Sequence, residues 1–154
     1  KKILFIGRFQ PFHLGHLSVL QEIDNRDGLQ ELVVGVGSSQ YGSTEKNPYN
    51  FEQRKEMIEN SLKNNISSKY NIFAIPDVHD NDIWVAHVEK IVGKFDEVYT
   101  GNSLVKKLFE EKKYKVNSVK QHKDISATKI RKMMRYNDET WKDLVPKSIL
   151  EFLK

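Results

Sequence analysis

Short apolar runs alternate along the chain with longer segments in which apolar residues recur at helical spacing. The runs are dense in Val, Ile, Leu and Phe, which is typical of strands buried on both faces of a parallel sheet. They predict five strands, over residues 2–7, 31–37, 70–76, 96–101 and 114–119. The other segments predict helices over residues 16–26, 51–64, 84–92, 103–112, 126–136 and 146–154. This alternation indicates an α/β fold with an open parallel sheet and right-handed crossovers.

The composition narrows the class of protein. With 154 residues and no internal repeat or linker, the chain is expected to form one domain over residues 1–154. It contains no cysteine, which excludes disulfides, iron–sulfur clusters and thiolate zinc sites and fits the reducing cytoplasm, where we expect it. No apolar stretch approaches the ~20 residues that cross a bilayer, and no signal-peptide pattern opens the chain. Because it starts at Lys1, we expect the numbering to omit a residue or two.

Unusual polar residues cluster where four of the predicted strands end, at residues 7–13, 37–50, 76–82 and 100–103. The carboxyl ends of parallel strands meet at one edge of an open α/β sheet, and ligands bind there. The four clusters therefore predict a single crevice. The net charge of +4, from 25 basic and 21 acidic side chains, suits an anionic ligand but is too small and dispersed to indicate nucleic acid.

The first polar cluster holds two histidines three positions apart, His13 and His16, with Gly15 between them and Arg8 upstream. A helix start offers unpaired N–H groups and a partial positive charge, both of which favour phosphate. Imidazole N–H donors placed there can bind phosphate oxygens and strengthen as charge develops. A lone histidine is more often packed in the core, but this pair with its glycine and arginine favours phosphate binding.

Other ligand classes find less support in the sequence. Zinc is the competing interpretation, since His-x-x-His can chelate, but no third ligand stands at metal-like spacing and the remaining histidines, His79, His87 and His122, are scattered. There is no G-x-x-x-x-G-K-[ST], and the glycines after the second strand lack the third member of a dinucleotide fingerprint. Kinase-like and dehydrogenase-like functions therefore lose most of their support.

A second motif, ISATKIRK, occupies residues 125–132. Ser126 is well suited to cap a helix, with Thr128 in its first turn. Thr128 and Arg131 stand at i and i+3 and share a helix face, so a hydroxyl, a backbone N–H and a guanidinium could converge on one phosphate. Taken alone, this pattern is weak, because Ser-x-Thr at a helix start is usually only a cap.

Taken together, the two motifs resemble the HxGH nucleotidylyltransferase superfamily, whose members pair HxGH with a C-terminal ISxTxxR. Within it, residues 7–16 look like the nicotinamide mononucleotide (NMN) adenylyltransferases of archaeal type, and the resemblance runs through nearly the whole chain. It implies the nucleotidylyltransferase fold, a Rossmann-like open parallel sheet flanked by helices, with a C-terminal helical segment. It further implies the reaction of ATP with NMN to give NAD and pyrophosphate, a divalent cation (usually Mg²⁺), and homo-oligomers, often hexamers.

The resemblance also implies roles for residues on the ATP side. The residues that would act on the phosphates are Arg8, His13, His16 and Arg131. His16 would lie nearest the α-phosphate. Those that would bind ATP are Gly7, Phe9, Gly15, Gly101, Asn102, Ser126 and Thr128. Of these, the residues at 101–102 would contact adenosine, and those after residue 125 would hold the departing pyrophosphate.

For NMN, the resemblance points to Ser39, Lys46, Asn81 and Trp84. Trp84 would be the platform for the cationic nicotinamide ring, a contact worth roughly 0.5–2 kcal/mol, and Asn81 the partner of the carboxamide. The alternative for Trp84 is a core tryptophan that opens a helix. Lys46 lies where some relatives carry an arginine for the NMN phosphate. We expect Arg54 to be structural, and no residue of the chain to ligate a metal.

The implied mechanism needs no covalent intermediate, because the NMN phosphate is already a nucleophile. Catalysis then consists of positioning and charge stabilisation around the α-phosphate. Two alternatives remain: an adenylyltransferase for another phosphorylated acceptor, such as FMN or phosphopantetheine, or a nucleotide sensor without turnover. Pyrophosphate release that depends on the acceptor would separate them. The expected partners are ATP and NMN, with neither nucleic acid nor membrane.

Overall fold

The computed structural model describes residues 1–119 and 125–153. In chain order the elements are β1 (Lys2–Gly7), α1 (Leu14–Asp24), β2 (Glu31–Gly37), α2 (Phe51–Leu62), β3 (Tyr70–Ile75), α3 (Asn81–Val92), β4 (Glu97–Thr100), α4 (Ser103–Glu111), β5 (Lys115–Ser118) and α5 (Ala127–Arg135). Two 3₁₀-helices follow, Glu139–Leu144 and Lys147–Leu153. No helix in this described part of the chain is long and apolar enough to cross a bilayer.

The strands form one sheet in the order β3-β2-β1-β4-β5, and every neighbouring pair is parallel. From β1 the chain builds the sheet outward to β3, then returns to place β4 on the other side of β1. The strand order therefore reverses between β1 and β4, and in doubly wound folds the ligand crevice opens at that point. The predicted open parallel α/β sheet is confirmed.

Alternation along β1 assigns its side chains to two separate cores. Ile3 and Phe5 join the core that packs against α1, α2, α5 and the C-terminal 3₁₀-helices. Leu4 and Ile6 join the core formed with α3 and α4. Because both faces of the sheet are covered at its centre, β1 and β2 are apolar and buried almost throughout, as the hydrophobic runs in the sequence predict. The edge strand β5, with the sequence KVNS, has no buried residue, so burial on both faces does not extend to that edge.

The observed helix starts differ from the predicted ones at two places that matter for the site. Helix α1 begins at Leu14 instead of residue 16, because His13 caps it. Helix α3 begins at Asn81 instead of residue 84, because the Asp80 carboxylate caps it by accepting from the N–H of Asp82 at 3.0 Å. The observed starts precede the predicted ones by two and three residues, so the apolar pattern alone places both of them too late.

The C-terminal segment was predicted as one helix over residues 146–154, and the structure corrects this. Residues Lys147–Leu153 form a 3₁₀-helix, and Lys154 lies outside the described residues. A preceding 3₁₀-helix, Glu139–Leu144, was not predicted. Ile149 and Leu153, four apart, are both buried in the first core, and this spacing is the same as that of an α-helical stripe.

At the amino-terminal edge of the sheet, a buried carboxylate gathers several cations. Glu97, the first residue of β4, accepts two bonds from Arg26, at 2.8 and 3.1 Å, and one from Lys1 at 3.0 Å. Lys115 lies at 3.7 Å, and the Asn117 amide donates at 3.0 Å. The hydrogen bonds from Arg26 hold the pKa of Glu97 far below its ordinary value. This edge carries a compensated ionic cluster.

Candidate active site

A cleft of about 1050 Å³ opens at the carboxyl ends of β1 and β4, where the strand order reverses. We call it the first cleft. Every residue predicted for the ATP side lines it: Gly7, Arg8, Phe9, His13, Gly15, His16, Gly101, Asn102, Ser126, Thr128 and Arg131. Lys46, predicted for NMN, lines it too. Residues far apart in the chain thus meet around one space large enough for a nucleotide.

The two histidines at the start of α1 cap the helix for each other. The His13 Nδ1 accepts the N–H of Gly15 at 3.1 Å, and the His16 Nδ1 accepts the N–H of His13 at 3.1 Å. This is a capping box made of imidazoles in place of the usual Ser/Thr and Glu. The reciprocal bonds require residues at i and i+3, which explains the spacing of the HxGH motif.

The capping box also determines which ring nitrogen carries the proton. An Nδ1 that accepts a hydrogen bond must be unprotonated, so the neutral imidazoles of His13 and His16 carry their protons on Nε2. The rings stack with centroids 3.6 Å apart and planes 20° apart. The site therefore holds two parallel rings, each with an Nε2–H that can donate to a ligand oxygen.

His16 lies among aromatic rings that favour its neutral form. Its ring centroid is 4.8 Å from that of Phe9, 5.4 Å from that of Phe12 and 6.2 Å from that of Phe5. Burial, and then the repulsion that a protonated His13 exerts on a second positive ring, lower the pKa of His16 well below its ordinary value of 6.5. At neutral pH His16 is thus an uncharged Nε2–H donor, and its capping bond persists.

The loop after β1 is anchored so that its backbone faces the cleft. Phe9 has a φ of 55°, which is unusual for a residue with a side chain, and is buried. A Cβ at Gly7 would stand only 3.1 Å from the Phe9 ring, so a larger residue there would require this buried ring to shift. The amide of Gln10 makes two bonds of 2.9 Å with the backbone of Tyr49, which fixes the far side of the loop.

Helix α5 brings the second motif to the same cleft. Ser126 caps the helix as predicted, accepting the N–H of Lys129 at 3.1 Å. Arg131 donates to the Gln10 carbonyl at 2.7 Å and to the Thr128 hydroxyl at 3.3 Å, so the predicted i, i+3 face is present. These bonds tie the C-terminal motif directly to the loop of the first motif.

The first cleft is rich in cations and poor in carboxylates. Its charged lining consists of Arg8, Glu45, Lys46, Arg131 and Arg135, so Glu45 is its only carboxylate among the described residues. Glu45 pairs with Arg135. Burial, and then the positive charge of Arg8, lower the pKa of Arg131. Cations that repel one another in this way can be stabilised by an anion bound between them.

A second cleft of about 280 Å³ adjoins the first one. The two share the wall formed by Ile6, Gly7, Arg8, Thr100 and Asn102. Asn81 and Trp84, both predicted for NMN, line the second cleft. Trp84 is half-buried and packs edge-to-face on Phe109 with centroids 5.4 Å apart, so it supports the core while it faces the cleft. Ser39 lines neither of the two clefts.

The second cleft also contains residues to which the sequence analysis gave no role. Asp77 accepts the Ser38 hydroxyl at 2.8 Å, and its backbone makes two bonds with the amide of Gln40, at 3.0 and 3.2 Å. His79 Nε2 lies 3.2 Å from the Tyr41 hydroxyl. The polar run at residues 76–82 marks this region in the sequence, but the pairing with residues near position 40 is not local. In the first cleft, Arg135 was missed as well, although it follows Arg131 by one helical turn.

The zinc interpretation finds no support in the described part of the chain. Within residues 1–119 and 125–153, no group of three His, Asp or Glu side chains could hold a metal ion. Both Nδ1 atoms of the HxGH motif are occupied by backbone N–H groups. His87 lies against the Pro76 carbonyl, with its Nε2 at 2.9 Å, while His122 lies outside the described residues.

The fold and its clefts define the class: an α/β domain with a doubly wound parallel sheet, whose larger cleft is lined by two imidazoles and several arginines and adjoins a smaller cleft. The model of the cytidylyltransferase-like family matches residues 4–133, which is most of the chain. The chain belongs to this family. The resemblance seen in the two motifs is thereby confirmed.

Close relatives share one name. The nicotinamide-nucleotide adenylyltransferase of Thermococcus sibiricus is 47% identical over 155 residues, which cover 98% of this chain and 82% of the relative. The enzyme of the same name from Pyrococcus furiosus is 44% identical, over 100% of this chain and 83% of the relative. That of Methanococcus aeolicus is 42% identical, over 99% of this chain and 87% of the relative.

Solved structures share the fold. A bifunctional NMN adenylyltransferase/ADP ribose pyrophosphatase from Francisella tularensis, complexed with AMP and a manganese ion, superposes with a TM-score of 0.72 at 28% identity. The match covers 94% of this chain but only 44% of that longer one. A nicotinic acid mononucleotide adenylyltransferase from Plasmodium falciparum matches 99% of this chain with a TM-score of 0.54; at 14% identity it supports the fold alone.

Proposed function

We propose that the two adjoining clefts carry out the reaction named in the relatives, with ATP in the first cleft and NMN in the second. The chain is an adenylyltransferase that joins ATP and NMN to give NAD and pyrophosphate. The single observation that best supports this placement is the wall that the clefts share, because it includes Arg8 and brings two phosphate-bearing substrates together. The chain contains no cysteine, which excludes a thiolate nucleophile and a covalent intermediate on sulfur.

The reaction is a direct in-line displacement at phosphorus. An oxygen of the NMN phosphate forms a bond to the α-phosphorus of ATP, while the bond from that phosphorus to the oxygen bridging to the β-phosphate breaks. The bonding electrons leave with pyrophosphate. The attacking phosphate oxygen is already ionised at neutral pH, so no proton has to be removed from it, and no group on the protein is consumed. The protein contributes alignment and donors for the negative charge on the transferring and departing phosphates.

The Nε2–H groups of His13 and His16 are the donors for the α-phosphate region. Because the capping box holds both rings, they need no reorganisation when charge develops on the phosphorus oxygens. Arg8, on the wall between the clefts, holds phosphate oxygens of either substrate. Arg131, with Thr128 and the helix start behind it, receives the departing pyrophosphate.

On the acceptor side, Trp84 offers its face to the nicotinamide ring and Asn81 offers its amide to the carboxamide. A cationic ring over indole gains a cation–π attraction of roughly 0.5–2 kcal/mol. Lys46 lines the first cleft and not the second, so we assign it to a phosphate and not to the nicotinamide ring. Ser39 would need to approach the NMN phosphate from the loop after β2.

The cation that accompanies ATP fits this site as a substrate-bound Mg²⁺. Mg²⁺ in such sites takes its ligands from phosphate oxygens, water and one or two carboxylates, and it neutralises phosphate charge. The described part of the first cleft offers only the Glu45 carboxylate, so phosphate oxygens of ATP and water would supply most of the ligands of the ion. The homo-oligomeric assembly that the resemblance implies and the cytoplasmic location that we expect from the composition remain predictions.

Pyrophosphate release by the purified protein tests the proposal. The assay contains ATP and Mg²⁺ and compares NMN, nicotinate mononucleotide, FMN and phosphopantetheine, with NAD followed through a coupled dehydrogenase. We expect release with NMN and stoichiometric NAD. Release only with another acceptor would leave the fold and the histidine roles unchanged, but Trp84 would then be assigned to the core alone. No release with any acceptor, with nucleotide binding retained, would favour the sensor.

A further inference from the structure

One buried arginine lies beneath both clefts and carries no assigned role in the reaction. Arg54, on α2, is fully buried, and each of its five N–H donors points at a backbone carbonyl. Nη1 donates to Arg8 at 3.0 Å and to Gly37 at 2.9 Å, while Nη2 donates to Ser38 and Tyr41, each at 3.2 Å. Nε completes the set with the carbonyl at residue 50, at 3.3 Å.

Four of these five carbonyls belong to the two loops that form the substrate clefts. The Arg8 carbonyl lies in the loop after β1, on the wall between the clefts. Gly37 and Ser38 lie at the end of β2 and line the second cleft. One rigid, planar group therefore sets the distance between the loop that faces ATP and the loop that faces the acceptor.

Residues of the loop after β2 that bind Arg54 also make side-chain contacts with residues that line the second cleft. Ser38 accepts from Arg54 through its carbonyl and donates through its hydroxyl to the Asp77 carboxylate, at 2.8 Å. Tyr41 accepts from Arg54 in the same way, and its hydroxyl lies 3.2 Å from His79 Nε2. Ser38 and His79 both have positive φ, of 50° and 55°. Such strained backbone persists only where its surroundings hold it.

The buried guanidinium of Arg54 has no carboxylate partner among the described residues. None of the ion pairs formed by the described residues includes Arg54. Burial, and then the neighbouring charge of Arg8, lower the pKa of Arg54 to about 10. A leucine or methionine would fill the same space at less cost in desolvation. The five carbonyls explain the arginine: a lysine has three donors and lacks the planar fork that spans two loops.

We propose that Arg54 is a positioning residue for the transfer reaction: its guanidinium holds the loops after β1 and β2 at the separation at which the two substrates meet, without touching either substrate. This inference rests on the proposed function. A displacement of one loop by about 1 Å can reduce turnover about 10²-fold, because alignment supplies much of the rate. Substrate affinity is affected less, since each loop keeps its own contacts.

The test compares Arg54→Lys with the wild type and with a matched control, Arg26→Lys. Arg26 bonds Glu97 at the opposite edge of the sheet, so its conservative variant loses hydrogen bonds without touching the cleft loops. All three proteins are assayed for NAD formation from ATP and NMN at a temperature where circular dichroism shows each to be folded. We expect Arg54→Lys to lose 30- to 100-fold in kcat, with both KM values changed less than fivefold, and Arg26→Lys to keep kcat within twofold.

A kcat of folded Arg54→Lys within threefold of the wild type would overturn the inference, and so would an equal loss in Arg26→Lys. If the wild type itself forms no NAD, the proposed function fails instead, and the comparison is repeated with the acceptor that it does use. Should Arg54→Lys not fold, Arg54→Gln takes its place in the same comparison. Its shorter side chain keeps two N–H donors but cannot bridge the carbonyls of the two loops. A tenfold loss of kcat supports the inference, and an unchanged kcat overturns it.

Discussion

The two edges of the same sheet treat positive charge in opposite ways. At the amino-terminal edge, Arg26, Lys1 and Lys115 surround the buried carboxylate of Glu97. At the carboxyl-terminal edge, Arg8 and Arg131 line the first cleft and belong to no ion pair among the described residues. The two ends of a parallel sheet also differ in their backbone, because the helices begin at the carboxyl ends of the strands and offer free N–H groups there. The side chains at each end add to that difference.

This difference separates charge used for stability from charge used for binding. A cation beside a buried carboxylate has its partner permanently, and loss of either group weakens the fold. Cations held only by backbone carbonyls and hydroxyls keep their net charge, repel one another and gain most when an anion arrives. The comparison therefore predicts that substitutions at the carboxyl-terminal edge change turnover with little effect on stability. Substitutions at the amino-terminal edge should change stability with little effect on turnover.

The largest effect on turnover is expected at His16. His16→Ala removes the Nε2–H donor and one half of the capping box, and it should lower kcat 10²- to 10³-fold, as loss of a single oxyanion donor does elsewhere. His16→Gln is the matched control for the cap, because glutamine at this position can accept the N–H of His13 in the usual capping box. We expect His16→Gln to recover stability but not kcat, measured by denaturant unfolding and NAD formation.

Two outcomes would contradict this view of His16. A kcat within fivefold of the wild type in either variant would remove the residue from the chemistry. Full recovery of kcat in His16→Gln would show that the cap matters and the imidazole does not. Binding of ATP, measured by calorimetry, should weaken much less than kcat in both variants.

The next largest effect is expected at Arg8, and it separates the two edges most directly. Arg8→Gln should lower kcat/KM for the reaction 10- to 100-fold, because both substrates lose a phosphate partner at the shared wall. Its unfolding midpoint should stay equal or rise, since the charge of Arg8 lowers the pKa of both Arg54 and Arg131. A clear fall in the midpoint would mean that Arg8 stabilises the fold, and the comparison would fail at this point.

Much of this arrangement could be predicted from local sequence patterns. The strands and the polar clusters at their carboxyl ends follow from hydrophobic periodicity. The cap at Ser126 follows from residues within one helical turn. The pair His13 and His16 could be recognised by its spacing. The capping box that explains the spacing could not, because histidine is not among the usual capping residues. Helix α1 was therefore predicted to start two residues late.

The remaining features depend on contacts between distant parts of the chain. Arg54 could be expected to be structural, yet its partners at Arg8 and Gly37 are 46 and 17 residues away and use backbone atoms that any sequence offers. The bond between Ser38 and Asp77 joins two loops 39 residues apart. Hydrophobic periodicity contains no information about such long-range contacts. Side chains that bind carbonyls leave no complementary residue in the sequence to search for.

A smaller effect is expected at Trp84, on the acceptor side of the wall. Trp84→Ala should raise the KM for NMN about tenfold, in line with a cation–π contact of roughly 0.5–2 kcal/mol, and leave the KM for ATP within twofold. Trp84→Phe keeps an aromatic ring against Phe109, so its KM for NMN should lie between those of the wild type and Trp84→Ala. Steady-state kinetics with each substrate varied in turn measures this. An unchanged KM for NMN would assign Trp84 to the core alone.

The smallest effect on turnover, and a clear effect on stability, is expected at Glu97. Glu97→Gln should leave kcat and both KM values within twofold, because the residue lies at the edge opposite the clefts. It should lower the free energy of unfolding at pH 7 by about 2 kcal/mol, since hydrogen bonds to a charged partner are lost from a buried position. Urea unfolding and the NAD assay on the same preparation measure both quantities.

The pH dependence of unfolding gives Glu97 a signature of its own. Hydrogen bonds from Arg26 lower the pKa of Glu97 in the folded protein below its ordinary value of 4.5, so the unfolded chain binds a proton first. The stability that this carboxylate contributes is therefore fully present above about pH 4.5 and is lost as the pH falls further towards the folded value. In Glu97→Gln that part of the acid destabilisation should disappear. If the variant and the wild type lose stability in parallel below pH 4.5, the Glu97 carboxylate does not stabilise the fold through its neighbouring cations. The contrast between the two edges would then be wrong.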